Sequence, residues 1–131
     1  MSLDLTPFKK AIISFKLAID EYNKDRDNLF VRDSVIQRFE YTYSLAVSIM
    51  KRYLKDEGEI EESSTFNNMI RTANRKELLL GNLENWDDYR LKRLATDCTY
   101  DEEIAKGIIS VVDDFYKEVI FLYKELEKRN E

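Results

Sequence analysis

The sequence predicts an all-α fold: an antiparallel four-helix up-and-down bundle with an extra short helix. Three observations carry that expectation. The chain has 131 residues with only three Gly and one Pro. Apolar residues recur at steps of three and four along two long stretches, the period of a helix face rather than a strand. Capping residues and polar runs punctuate the gaps between those stretches. A single domain spanning residues 1–131 is expected, because about 100–150 residues is the usual size of one hydrophobic core.

The first helix is placed from Thr6, with Thr6 as N-cap and Pro7 at the first helical position, where a missing N–H costs nothing. Phe8, Ala11, Phe15, Ala18, Ile19 and Tyr22 form its apolar face, and the polar run at 23–28 ends it. The second helix is placed over Phe30 to Glu57. Val35, Phe39, Thr42, Ala46, Ile49 and Tyr53 make a seam of the kind used in near-antiparallel packing, widened by Ile36, Tyr43, Met50 and Leu54. Gly58 sits where a left-handed C-terminal residue is expected, and Lys51, Arg52 and Lys55 suit the negative end of the helix dipole.

A short third helix carries Phe66, Met69, Ile70 and Ala73, with Ser64 as its cap and Gly81 as the stop after Leu78–Leu80. A fourth carries Trp86, Tyr89, Arg90 and Arg93. Thr99 and Glu102 have capping-box spacing ahead of a last helix over Tyr100 to Lys128. On that helix Ala105, Ile108, Val112, Phe115, Val119, Leu122 and Leu126 alternate by three and four without a miss. Ile109, Ile120 and Phe121 add apolar surface beyond the seam, which points to a homodimer face; cover by the short helices is the alternative.

Composition excludes whole classes of chemistry. With no His there is no Ser-His-Asp triad, no Cys-His dyad and no His-ligated zinc. One Cys allows neither an internal disulfide nor a Cys-rich zinc or iron–sulfur site. No cofactor and no metal are expected. The net charge of −5 does not favour broad nucleic-acid binding, although a local basic patch could still bind RNA or a nucleotide. No stretch approaches the roughly 18 apolar residues of a membrane span. The start of the chain lacks the basic-then-apolar pattern of a signal peptide, so a soluble, cytoplasmic protein is expected.

The acidic pairs Asp87–Asp88 and Asp113–Asp114 and the run Asp101–Glu103 read as solvated faces or a cap rather than a metal site. Arg71 and Arg75 share one helix face, and Arg90 and Arg93 another. The planar fork of arginine suits phosphate, and surface solubility is the plainer reading. Cys98 precedes the last helix, where a thiol pKa can fall, but no base neighbours it in sequence. Tyr100 either exposes its phenol or packs on the fourth helix.

Three segments together resemble the nucleotidyltransferase substrate-binding-protein family of the HEPN superfamily: LDLTPFKKAI at 3–12, VRDSVIQRFEYTYSLAVSIMKRYLKDEG at 31–58, and WDDYRLKRLATDCTYDEEIA at 86–105. The resemblance implies an antiparallel helical bundle that forms a homodimer and pairs with a separate minimal nucleotidyltransferase. The family signature is Arg-Asn, a short spacer, His, one residue, then Tyr. Here the span reads RLATDCTY: Arg93 and Tyr100 match, Leu94 stands where Asn is usual, and Cys98 where His is usual. Ser44, Val47 and Ser48 replace the more usual Glu, Trp and Lys.

The resemblance implies three functions. The first is a non-catalytic accessory subunit, the toxin-like half of a toxin–antitoxin pair. In it Tyr100 accepts AMP, and Arg90 and Arg93 contact phosphate. The second is a metal-independent ribonuclease using Arg93 and Cys98. A neutral thiol, with a pKa of about 8.5, substitutes poorly for imidazole as its acid/base. The third keeps the fold and the interaction without the chemistry. The incomplete catalytic set favours a protein that is not itself an enzyme.

Overall fold

The computed structural model describes residues 3–130. Met1, Ser2 and Glu131, the ends of the expected domain, lie outside the described residues. Five α-helices follow in order: α1 (Thr6–Lys24), α2 (Leu29–Asp56), α3 (Phe66–Arg75), α4 (Leu83–Leu94) and α5 (Glu102–Arg129), with a 3-10 turn at Thr96–Cys98. No strand occurs among the described residues.

Side-chain contacts fix the direction of each rod. Arg38 and Thr42 of α2 reach Ser14 and Ala11 of α1, so α2 runs antiparallel to α1. Phe8 meets Tyr123 and Phe15 meets Tyr116, so α5 also opposes α1. Arg93 reaches Ser44 of α2, and Trp86 reaches Glu118 of α5. The result is the up-and-down bundle of α1, α2, α4 and α5, with α3 as the extra short helix against α2 and α4.

The expected apolar faces of α1 and α5 are buried throughout. On α2 the seam turns. Val35, Phe39, Thr42 and Ala46 are buried as expected, but Ile49 and Tyr53 are only half-buried while Met50 and Leu54 are fully enclosed. The reason is local: α3 and the buried Ile60 cover α2 from the side on which Met50 and Leu54 lie. Phe115 sits at the centre of the core, with the rings of Phe15, Phe39, Tyr43, Trp86 and Tyr89 at centroid distances of 5.0–6.1 Å. Edge-on pairs among such rings add about 0.5–1.5 kcal/mol each beyond burial.

Several caps differ from the sequence reading. Thr6 is inside α1; Leu5 precedes it, and the Thr6 N–H donates to Asp4 Oδ1 at 3.0 Å. Asn28 caps α2 by accepting from the N–H groups of Phe30 and Val31. Gly58 is left-handed as expected (φ +73°), and the Glu59 and Gly58 N–H groups donate to Leu54 and Lys55, closing the helix. Thr65, not Ser64, caps α3, because its hydroxyl oxygen accepts from Asn68 N–H at 3.1 Å while Ser64 Oγ serves Glu61. Asp101, not Thr99, caps α5, accepting from the N–H groups of Glu103 and Ile104. Thr99 stays in the turn between the 3-10 segment and the helix, so α5 begins at Glu102 rather than Tyr100.

Gly81 is not a helix stop. The chain leaves α3 through Glu77, whose φ is +60°. Gly81 instead lies against Glu118, and a Cβ there would come within 2.8 Å of Glu118 Oε1. Glu118 is 2% exposed and accepts three hydrogen bonds: Leu80 N–H at 2.6 Å, Gly81 N–H at 2.7 Å and Trp86 Nε1 at 2.9 Å. One buried carboxylate thereby ties the α3–α4 link and the start of α4 to α5.

The apolar surplus on α5 does not form an open face. Ile109 and Ile120 pack against the core, and Phe121 is half-buried. The exposed large apolar side chains lie elsewhere: Ile13 and Leu17 on α1, Leu29 and Phe30 at the start of α2, and Leu91 and Leu94 on α4.

Candidate functional site

The signature residues gather where the C-terminal half of α4 crosses α2. Arg90 and Arg93 lie three residues apart on α4, both half-buried. Arg93 Nη2 donates to Ser44 Oγ at 3.5 Å, at the limit of a hydrogen bond. The Thr96 hydroxyl lies 2.9 Å from Glu40 Oε2 and 2.8 Å from the Arg93 carbonyl, which fixes the 3-10 turn onto α2. Ser44 therefore belongs to the site through its contact with Arg93, and Glu40 is an addition that sequence reasoning missed. Its spacing of four residues from Ser44 on α2 was the available signal.

Arg90 is already engaged. Its Nε and Nη2 donate to Asp87 Oδ1 at 3.3 and 2.9 Å, and its guanidinium lies 5.6 Å from the Phe66 ring centroid. Beneath the two arginines lies Tyr43. Burial pushes its phenol up to about 12, against the opposing pull of Arg90 and Arg93. Tyr89 is likewise pushed up to about 12, first by burial and then by Glu118, Asp114 and Asp88.

Cys98 is half-buried. Its N–H donates to Ala95 and its carbonyl accepts from Asp101, both at 3.0 Å. No acid or base is hydrogen-bonded to its thiol among the described residues. Tyr100 is 89% exposed, which excludes packing of its ring on α4. It precedes the cap of α5 rather than sitting in the first turn.

The first turn of α5 is no open phosphate seat: Asp101 occupies its N–H groups, and Glu102 and Glu103 follow. The structure thus brings Arg93 to Ser44 and the 3-10 turn to Glu40. It places no hydrogen bond among Arg93, Cys98 and Tyr100 in the described residues. Among those residues no group of three or more Asp, Glu or Cys side chains is arranged to hold a metal ion. No helix is long and apolar enough to cross a membrane.

A helical bundle presenting an arginine-bearing short helix and an exposed tyrosine beside its last rod defines a class of small helical domains with known relatives. The family model for nucleotidyltransferase substrate-binding-protein-like chains matches residues 3–128, so the chain belongs to that family. It is 35% identical over 99 residues to a Haemophilus influenzae protein named probable ribonuclease HepT, covering 73% of this chain and 67% of that one. The solved structure of HI0074 from Haemophilus influenzae superposes with a TM-score of 0.85 at 28% identity, over 95% of this chain and 99% of that one. HI0074 is described as revealing the fold of a substrate-binding domain of a nucleotidyltransferase. A crystal structure from Thermus thermophilus matches with a TM-score of 0.69 at 26% identity, over 91% and 98% of the two chains.

Proposed function

We propose that this chain is a homodimeric, non-catalytic accessory subunit of a separate minimal nucleotidyltransferase, the toxin-like half of a toxin–antitoxin pair in the cytoplasm. In this reading Tyr100 is the acceptor of an adenylyl group. The observation that carries it is the 89% exposure of the Tyr100 side chain on the signature segment. An aromatic ring that the core leaves in water is reachable by a second active site. The family membership and the likeness to HI0074 support the pairing with a nucleotidyltransferase.

In the transfer, the Tyr100 phenolic oxygen attacks the α-phosphorus of ATP. The new O–P bond forms as the bond between the α- and β-phosphates breaks, pyrophosphate leaves, and the phenolic proton passes to a base of the nucleotidyltransferase. Arg93 is the more available phosphate contact, because its side chain's one hydrogen bond among the described residues is a long one to Ser44. Arg90 contributes after releasing Asp87. The exposed Leu91 and Leu94 beside Arg93 suit a protein interface.

Incubation with a minimal nucleotidyltransferase from the same source, plus ATP and Mg²⁺, tests the reading. Intact mass rises by one AMP residue per modified chain, and Tyr100→Phe stays unmodified. Unchanged wild-type mass, or equal modification of Tyr100→Phe, overturns it. A second reading is a metal-independent ribonuclease using Arg93 and Cys98, favoured by the name of the HepT relative. RNA cleavage that Arg93→Ala abolishes would select it.

A further inference from the structure

A cleft of about 560 Å³ lies between the α1–α2 turn and the first half of α5, within the usual size of small-molecule sites. Tyr22, Arg26, Arg32, Glu102, Lys106 and Asp113 carry its chemistry, and none of Arg90, Arg93, Cys98 and Tyr100 lines it.

Arg32 is the unusual member. It stands on the core side of α2 and is only 7% exposed. Its Nη1 donates to both carboxylate oxygens of Glu102, at 2.8 and 2.9 Å. Its Nε has no hydrogen-bond acceptor, and is the buried side-chain nitrogen or oxygen among the described residues left in that state. Asp33 Oδ1 stops 3.8 Å away, beyond hydrogen-bond reach. A buried donor left unpaired costs about 1–3 kcal/mol, more when it is charged. Such a group marks a place where an acceptor belongs.

The cationic guanidinium gives that acceptor a sign, since a charged donor pairs best with an anion. Glu102 is held by Arg32. Asp113 makes no ion pair among the described residues, because Lys16 of α1 is held by Asp20 at 2.7 Å. Arg26 lies 5.1 Å from the Tyr22 ring centroid and donates to the neutral Asn23 side chain at 2.7 Å. Lys106 comes no nearer than 3.9 Å to Glu103, outside the cleft. Asp27 is the third carboxylate on the wall. Three cations, Arg26, Arg32 and Lys106, therefore share the cleft with three carboxylates, of which Glu102 is committed to Arg32.

We propose that this cleft binds a small ligand of nucleotide size through its phosphate group, with Arg32 at the centre and Arg26 and Lys106 on either side. Arginine presents parallel donors that fit phosphate oxygens. The phosphate competes with Glu102 for the Arg32 guanidinium, which lines the cleft. Glu102, whose side chain is 54% exposed, turns out to water. Because Glu102 is the first residue of α5, binding also loosens the tie between α2 and the turn that carries Tyr100.

Titration of the full chain with inorganic phosphate, AMP and adenosine, followed at the Arg32 Nε–Hε NMR signal, tests this. Phosphate and AMP are expected to move the signal saturably, and adenosine to leave it in place. AMP tighter than phosphate marks a nucleotide as the source, and equal affinities mark the free ion. Glu102→Gln removes the competing carboxylate and tightens binding by about five- to tenfold. Arg26→Ala and Lys106→Ala, both at the surface, weaken it by a similar factor. Arg93→Ala leaves it intact, so this site and the acceptor role of Tyr100 fail separately. No saturable movement with phosphate or AMP overturns the site. So does binding whose affinity Glu102→Gln, Arg26→Ala and Lys106→Ala all leave unchanged.

Discussion

The aromatic heart around Phe115 and the segment from Arg93 to Glu102 are neighbours built on opposite terms. The heart is closed: Phe115, Phe39, Trp86 and Phe15 are each less than 2% exposed, and the carboxylate among them has three donors. The segment is open. Among the described residues its arginine side chain holds one long hydrogen bond and its thiol none, and its tyrosine is in water. In the heart the one buried carboxylate has every donor supplied by protein. Along the signature segment the molecule leaves groups unfilled.

The contrast breaks most visibly at its centre. Phe115→Ala removes the ring that five others contact. A loss of about 3–5 kcal/mol is expected in urea unfolding, a large share of the stability of a domain this size. Glu118→Gln comes next. The amide offers one acceptor oxygen where the carboxylate used two, and its NH2 faces a backbone N–H, so about 3 kcal/mol is lost. A crystal or NMR structure of the variant should show the α3–α4 link displaced at Leu80 and Gly81. If Glu118→Gln unfolds like the parent chain, the carboxylate is not the tie described.

A pH scan sharpens the same contrast. Tyr43 and Tyr89 have phenols raised to about 12 in the folded chain. Below the ordinary phenol value of about 10 both states are neutral and the stabilisation is complete. Between pH 10 and 12 the unfolded chain ionises while the folded chain resists. Stability therefore falls across that window. Tyr43→Phe combined with Tyr89→Phe should flatten the fall, read as the urea midpoint against pH.

Much of the closed region was legible in the sequence. The α5 seam from Ala105 to Leu126 is buried at every expected position, because periodicity reports a face that packing then uses. The α2 stripe was legible through Met50 and Leu54, but not that Ile49 and Tyr53 would be left half-buried. Beyond Ala46, α3 and Ile60 decide which side is covered, and a short helix joined by a polar link leaves little trace in the pattern of its neighbour. Glu118 and Arg32 were missed for a shared reason. Each is a charged residue at seam spacing, Glu118 three residues after Phe115 and Arg32 three before Val35. Such a residue demands a buried partner, and the partners, Trp86 with Gly81 and Glu102, are distant in sequence. In the open region Arg93 and Tyr100 were legible through the family signature alone. The place of Tyr100 before the helix rather than in its first turn was not, because Asp101 rather than Thr99 sets where α5 begins.

The smallest stability effect carries the most functional information. Tyr100→Phe removes one hydroxyl from a side chain that makes no hydrogen bond among the described residues and is 89% exposed. The unfolding free energy should stay within about 0.5 kcal/mol of the parent chain. Circular dichroism and the urea midpoint should not distinguish the two. If the proposed role is right, the same substitution removes all transfer of AMP to the chain, since a phenyl ring has no oxygen to attack phosphorus. A variant indistinguishable in folding and wholly different in modification would separate the open region from the closed one. A destabilised Tyr100→Phe would mean instead that the hydroxyl is part of the packing, and that the segment is less open than its exposure implies.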